Sequence, residues 1–135
     1  MMFEIADINV FAVIAATVAG FVLGGLWYGP LFGQAWLDAV GKGKDDIQPS
    51  PGPFIISLGA SLVTATVLSF LRLGLGVESV AGGALLGALC SLGFTATAMA
   101  SDNAFCGWGW RLYAIQAGYR FTYTVVMGII LTAWP

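Results

Sequence analysis

The sequence predicts an all-α fold, a four-transmembrane-helix bundle with a short interfacial helix after the first span. Three observations carry that expectation. Four long apolar stretches alternate with short polar segments. Only 9% of the 135 residues are charged against 59% hydrophobic, and mean hydropathy is +0.89, where a soluble domain carries about 25% charge. A water-soluble fold of this size leaves much of its surface exposed, more than so few polar residues can cover. Residues 1–135 read as a single integral membrane domain whose solvent is the lipid bilayer.

The spans fall at about 10–28, 54–73, 80–100 and 112–134, each close to the roughly 20 residues that cross about 30 Å of hydrocarbon. The first is led by MMFEIADIN, which holds Glu4 and Asp7 and no Lys or Arg, so it lacks the basic start of a cleavable signal. Gly29-Pro30 is expected to break it. Leu31, Phe32, Ala35, Trp36, Ala39 and Val40 then recur at helical spacing, and Gly41 is a stop. This predicts an amphipathic helix over 31–40, lying in the interface, capping the bundle, or both.

The stretch GKGKDDIQPSPGP reads as a flexible linker, and Pro53 suits the opening of the second helix. That helix carries a small polar stripe, Ser57, Ser61 and Thr64. The third span is Gly-rich and is expected to end at a turn begun by Ser101, Asp102 and Asn103, with Cys106 in the loop beyond. The fourth span is the least apolar, because of Gln116 and Arg120.

Orientation follows from the basic residues. Lys42 and Lys44 lie between spans one and two, Arg111 lies between spans three and four, and the other side has Arg72 alone. The positive-inside rule puts loops 29–53 and 101–111 in the cytoplasm and both termini outside, in a multi-pass protein of the cell inner (plasma) membrane. Trp27, Tyr28, Trp36, Trp108 and Trp110 would anchor the inner interface and Trp134 the outer one. Gly20-x-x-x-Gly24 and Gly83-x-x-x-Gly87 offer close helix contacts, either inside the bundle or between copies.

Arg120 is the residue that asks for an explanation. A cation facing lipid near the bilayer centre costs about 2.5–3.5 kcal/mol, so it needs a partner, a wet cavity or a route to the interface. Tyr113, Gln116, Arg120 and Tyr123 or Thr124 share a helix face, with Tyr119 beside it. A guanidinium suits carboxylate or phosphate. One expectation is an Arg120–Asp102 pair pinning span four to span three, with Thr95 and Thr97 as neutral acceptors on the way. The other is a polar pocket of Arg120, Asp102, Gln116, Tyr113, Tyr119 and Tyr123 that holds an anion or a lipid headgroup.

Other classes find little support. The chain has no histidine and two cysteines, Cys90 and Cys106, so no metal site and no cofactor are expected. Net charge is −2, and no basic face exists for nucleic acid. No acid pair or activated nucleophile marks an enzyme.

The string Gly25-Leu26-Trp27-Tyr28-Gly29-Pro30-Leu31-Phe32-Gly33-Gln34-Ala35-Trp36, with Ala117-Gly118-Tyr119 and Val126-Met127-Gly128 later in the chain, resembles domain-of-unknown-function family 1761, small four-span bacterial membrane proteins. The resemblance covers essentially the whole chain and implies a four-helix membrane protein. It supplies no catalytic or binding residues. Two functions are then expected in order: a non-enzymatic accessory or scaffold component, as a homo-oligomer or in a larger membrane complex, and a small transporter or channel for an anionic solute or lipid, working through Arg120.

Overall fold

The computed structural model describes residues 5–43 and 50–135. Glu4 and residues 44–49 of the expected linker, Lys44 among them, lie outside the described residues. Among those described, the chain forms five helices: α1 Val10–Leu31, α2 Gly33–Val40, α3 Pro51–Leu75, α4 Val80–Cys106 and α5 Trp110–Ala133. No strand occurs among them.

The ends follow local chemistry. Asn9 caps α1, its side-chain oxygen accepting from the Phe11 and Ala12 amides. Ser79 does the same for α4 through the Gly82 amide. Pro51 and Pro53 occupy the first turn of α3, where a missing N–H leaves nothing unpaired. Gly41, Gly76 and Gly107 end α2, α3 and α4 in the left-handed conformation that glycine adopts without a Cβ clash.

α1, α3 and α4 are each long and apolar enough to cross a membrane. α5 matches them in length at 24 residues, but its polar residues keep it out of that set. Its position explains its composition. α5 packs against α1, α3 and α4 and buries ten residues, so its hydroxyls face protein. Thr124 and Thr132 return their hydroxyls to the Arg120 and Gly128 carbonyls of α5 itself.

Two of its neighbours, α1 and α4, run antiparallel to α5. Asn9 donates to the Trp134 and Pro135 carbonyls at one end of the α1–α5 pair. The Trp27 indole donates to the Ile115 carbonyl at the other, 2.8 Å away. α4 meets α5 through glycine. A Cβ on Gly83 would strike the Gly128 carbonyl, and one on Gly87 the Thr124 carbonyl, so the two backbones touch.

The core holds Ala12, Val13, Ala16, Ala65, Leu68, Leu86, Tyr119, Tyr123, Met127 and Leu131. Thr17, Ser61, Ser69, Ser91, Asn103, Thr124 and Thr132 are buried too, while Phe11, Val18, Val22, Leu85, Leu89 and Leu92 stand outward. Small polar groups inside and large apolar groups outside are compatible with a membrane protein.

Three expectations change. Gly29-Pro30 does not break α1: the helix continues through Trp27–Leu31 as a wide turn with Pro30 inside it, and the short helix begins at Gly33, not at 31. The wider spacing accommodates the ring and its missing N–H. α4 does not stop near 100. A second wide turn, Ser91–Ala96, leads into six further residues beyond Ala100, so Asp102 and Cys106 are helical and the loop shrinks to Gly107-Trp108-Gly109. Asn103 lies on the buried side of that extension and gives it a face to pack.

Candidate functional site

Helix α5 brings Tyr119, Arg120 and Tyr123 onto one flank at spacings of one, three and four residues. The two tyrosine rings stack 5.0 Å apart, and the Arg120 guanidinium carbon lies 5.4 Å from the Tyr119 ring and 5.7 Å from the Tyr123 ring. A cation against two ring faces is attracted by their quadrupoles, for about 0.5–2 kcal/mol a contact.

The wide turn at the end of α1 adds Tyr28. Its ring meets Tyr119 edge-on at 5.4 Å and Trp36 of α2 at 5.9 Å. The result is an unbroken ladder, Tyr123–Tyr119–Tyr28–Trp36, from the middle of the bundle to the helix at its end. Tyr28 and Arg120 thus both lie against the Tyr119 ring.

The hydroxyls on this ladder differ. Tyr119 donates to the Gly20 carbonyl at 2.8 Å. Thr64 gives its proton to the Ala60 carbonyl, so the 3.3 Å contact between Thr64 and Tyr123 uses the Tyr123 proton. Tyr28 Oη and the Arg120 guanidinium make no hydrogen bond with any described residue. They are two donors beside Tyr119 with no acceptor among the described residues.

The Arg120–Asp102 pair does not form. Among the described residues the ion pair is Arg111–Asp38, 3.9 Å and well exposed, which ties α2 to the start of α5. The extension of α4 is the cause. Gly87 abuts Thr124, so by antiparallel register Asp102 lies level with the start of α5, about 15 Å along the axis from Arg120.

The remaining residues of the expected pocket form a second cluster. Asp102, Tyr113 and Gln116 line a cavity of about 70 Å³ with Met99, Asn103 and Trp108, and Gln116 also borders an open groove of about 470 Å³ below Ala39 and Val40 of α2. The Tyr113 hydroxyl reaches the Ala96 carbonyl, 2.9 Å, at the end of the wide turn in α4. Thr95 and Thr97 do not approach Arg120 through any hydrogen bond; Thr97 returns its hydroxyl to Gly93.

The anchoring tryptophans separate as well. Trp108 and Trp110 stand outward, and Trp134 stacks on Phe11 at the other end. Trp27 instead turns into the bundle, with its indole bonded to Ile115 and its ring against Gly118, Phe32 and Tyr119. Gly20 and Gly24 face the tyrosine stack: a Cβ on Gly20 would come within 2.9 Å of Tyr123, and one on Gly24 within 2.8 Å of the Tyr119 hydroxyl. All four motif glycines therefore serve contacts within the chain. No group of three His, Cys, Asp or Glu side chains converges among the described residues.

Sequence reasoning placed Tyr28 at the interface and missed its junction with Arg120. Its signal was Gly29-Pro30, which marks an irregular backbone without saying that the irregularity swings Tyr28 towards α5. A family model described as a protein of unknown function (DUF1761) matches residues 11–132. No curated protein and no solved structure matches the chain.

Proposed function

The chain belongs to the DUF1761 family, and from that premise we propose a non-enzymatic integral membrane protein that crosses the bilayer four times and holds an anionic group at Arg120 and Tyr28. The fourth crossing is α5, whose polar residues are tolerated because three other helices surround it. In this reading α2, Lys42 and Arg111 lie on the cytoplasmic side of the inner membrane, and Asn9 and Trp134 lie outside.

One observation carries the assignment: Arg120 and Tyr28 both pack on Tyr119, and neither the guanidinium nor the Tyr28 hydroxyl has an acceptor among the described residues. An unpaired cation inside a bundle is costly, and a phosphate or carboxylate oxygen would satisfy both donors at once. The rings of Tyr119 and Tyr123 hold the guanidinium in place beforehand, which lowers the ordering cost of binding.

The test is thermal unfolding of the purified protein in a neutral detergent, with and without phosphate-bearing and carboxylate-bearing compounds, soluble and lipidic. At least one of them raises the wild-type midpoint. Tyr28→Phe, which keeps the ring contacts, weakens the response, and Arg120→Ala abolishes it. An equal response in Arg120→Ala, or none in wild type, removes the proposal.

An oligomeric accessory role stands second. It rests on the start of α3, where nearly every residue from Pro51 to Gly59 is exposed, so that another chain has room to pack there. Native mass spectrometry in mild detergent tests it, and a monomer without copurifying protein counts against it.

A further inference from the structure

We propose that the group held at Arg120 and Tyr28 is the head of a bilayer amphiphile, a phosphate or carboxylate carrying an acyl chain, and that it comes sideways through a gap between α3 and the rest of the bundle. The inference rests on the anion-binding reading above and specifies the ligand.

The gap follows from how α3 lies. At Thr64 the helix touches the Tyr123 hydroxyl, and at Ser61 it lies beside Gly20. From there towards Pro51 it leaves α5. Its remaining aromatic contact is Phe54 against Phe21 of α1, 6.4 Å between ring centres. Over the same stretch Ile55, Ile56 and Leu58 are exposed, Ile56 to 73%. Arg120 precedes Tyr123 by one turn of α5, in the direction in which α3 departs, so the guanidinium stands where cover by α3 gives out.

α4 flanks α5 on the other side and stays packed on it at this height. Its wide turn begins at Ser91, by register opposite the Tyr119–Arg120 level of α5, since Gly87 meets Thr124 and Tyr113 reaches Ala96. In that turn Leu92 and Phe94 point outward, Phe94 to 77%. Arg120 itself is neither buried nor fully exposed. In a bilayer, a guanidinium at this height, on a bundle whose outward residues include Ile55, Leu58 and Leu92, meets acyl chains before it meets water. The charge selects an anionic head, and the apolar frame selects a ligand with a tail.

The experiment uses the full chain in nanodiscs of zwitterionic lipid and in neutral detergent. Each receives one of four additions: a phosphatidic acid, a long-chain fatty acid, inorganic phosphate, or a long-chain alcohol of matched length. Adducts retained in native mass spectrometry and the unfolding midpoint are read together. The phosphatidic acid or the fatty acid, or both, bind and raise the midpoint by about 4 °C or more at saturation; inorganic phosphate and the alcohol do not. Which of the first two binds identifies the head.

Tyr28→Phe and Arg120→Lys retain binding with reduced affinity, and Arg120→Ala weakens it by at least about tenfold. Leu58→Trp, which fills the gap and touches neither donor, slows or blocks binding of the amphiphile. If Arg120→Ala does not fold, the two conservative variants and Leu58→Trp decide. Inorganic phosphate acting as well as the amphiphile overturns the sideways ligand and leaves the anion site standing. No Arg120-dependent response to any anion overturns both. A second copy crosslinked across Pro51–Gly59 in the lipid-bound state closes the gap and overturns the inference alone.

Discussion

The two halves of the bundle are held in different ways. In the half that contains Asn9 and Trp134, α4 and α5 meet backbone to backbone at Gly83, Gly87 and Gly128, with no space for a single added carbon. In the half that contains Tyr28 and Trp110, side chains make the contacts: a tyrosine stack, an indole bonded to a backbone carbonyl, a phenol bonded to a backbone carbonyl. Both wide helical turns lie in this half, Trp27–Leu31 and Ser91–Ala96, and the start of α3 stands apart there. One half is closed by van der Waals contact, which has no alternative arrangement. The other is closed by adjustable groups, and the donors without an acceptor among the described residues, Arg120 and Tyr28, are there. Wide turns often accompany functional sites in helices, and this division gives that tendency a physical form.

The largest effect is expected from breaking the closed half. Gly87→Leu drives a branched side chain into the Thr124 carbonyl, and a backbone atom moves only if the helix moves. Overpacking costs about 1–3 kcal/mol where side chains can yield, and here the cost exceeds that range. The expected outcome is loss of monodisperse folded protein in detergent. Near-normal behaviour would mean that the seam is looser than it looks.

Arg120→Ala strikes the open half, and the expected result has the opposite character. The substitution gives up two cation–π attractions worth about 0.5–2 kcal/mol each, but it also removes an unpaired charge from the bundle. Stability in neutral detergent without anion therefore moves little, while the stabilisation given by anion disappears. A large loss without any anion would make the guanidinium a packing element and the comparison of halves misleading. Tyr28→Phe refines the point: unfolding unchanged, ligand response diminished.

These contrasts show how far the sequence was legible. The apolar stretches reveal the long helices, because apolar runs of about 20 residues leave few alternatives. Glycine spacing points to the α4–α5 seam, since only glycine permits that approach. The family resemblance agrees with the match over residues 11–132. The Arg120–Asp102 pairing was not legible, because it depends on register across a wide turn, and the extra residue in such a turn shifts everything after it. The site divides for the same reason. Tyr119, Arg120 and Tyr123 come together because they are near in sequence; Tyr28 joins them through tertiary packing, which no local pattern encodes.

Tyr119→Phe gives a smaller effect that locates the boundary between the halves. The hydroxyl donates to the Gly20 carbonyl in a buried setting. Its removal costs about 0.5–1.5 kcal/mol and leaves the ring stack and the ligand response in place, as read by the unfolding midpoint with and without anion. A ligand response that vanishes together with the hydroxyl would extend the site one residue deeper than the donor pair.

The smallest expected change has the opposite sign and concerns Ser91. Its hydroxyl is fully buried at the start of the wide turn in α4 and has no hydrogen-bond partner among the described residues, unlike Thr17, Thr124 and Thr132, which each return theirs to a carbonyl of their own helix. A buried hydroxyl without a partner costs about 1–3 kcal/mol, so Ser91→Ala removes a polar oxygen and little volume. The expected outcome is a midpoint equal to wild type or higher by an amount worth up to about 1 kcal/mol. A lower midpoint would show that the oxygen has an acceptor or donor to meet in the membrane, and would make the wide turn part of the polar machinery of the open half rather than a consequence of packing around Arg120.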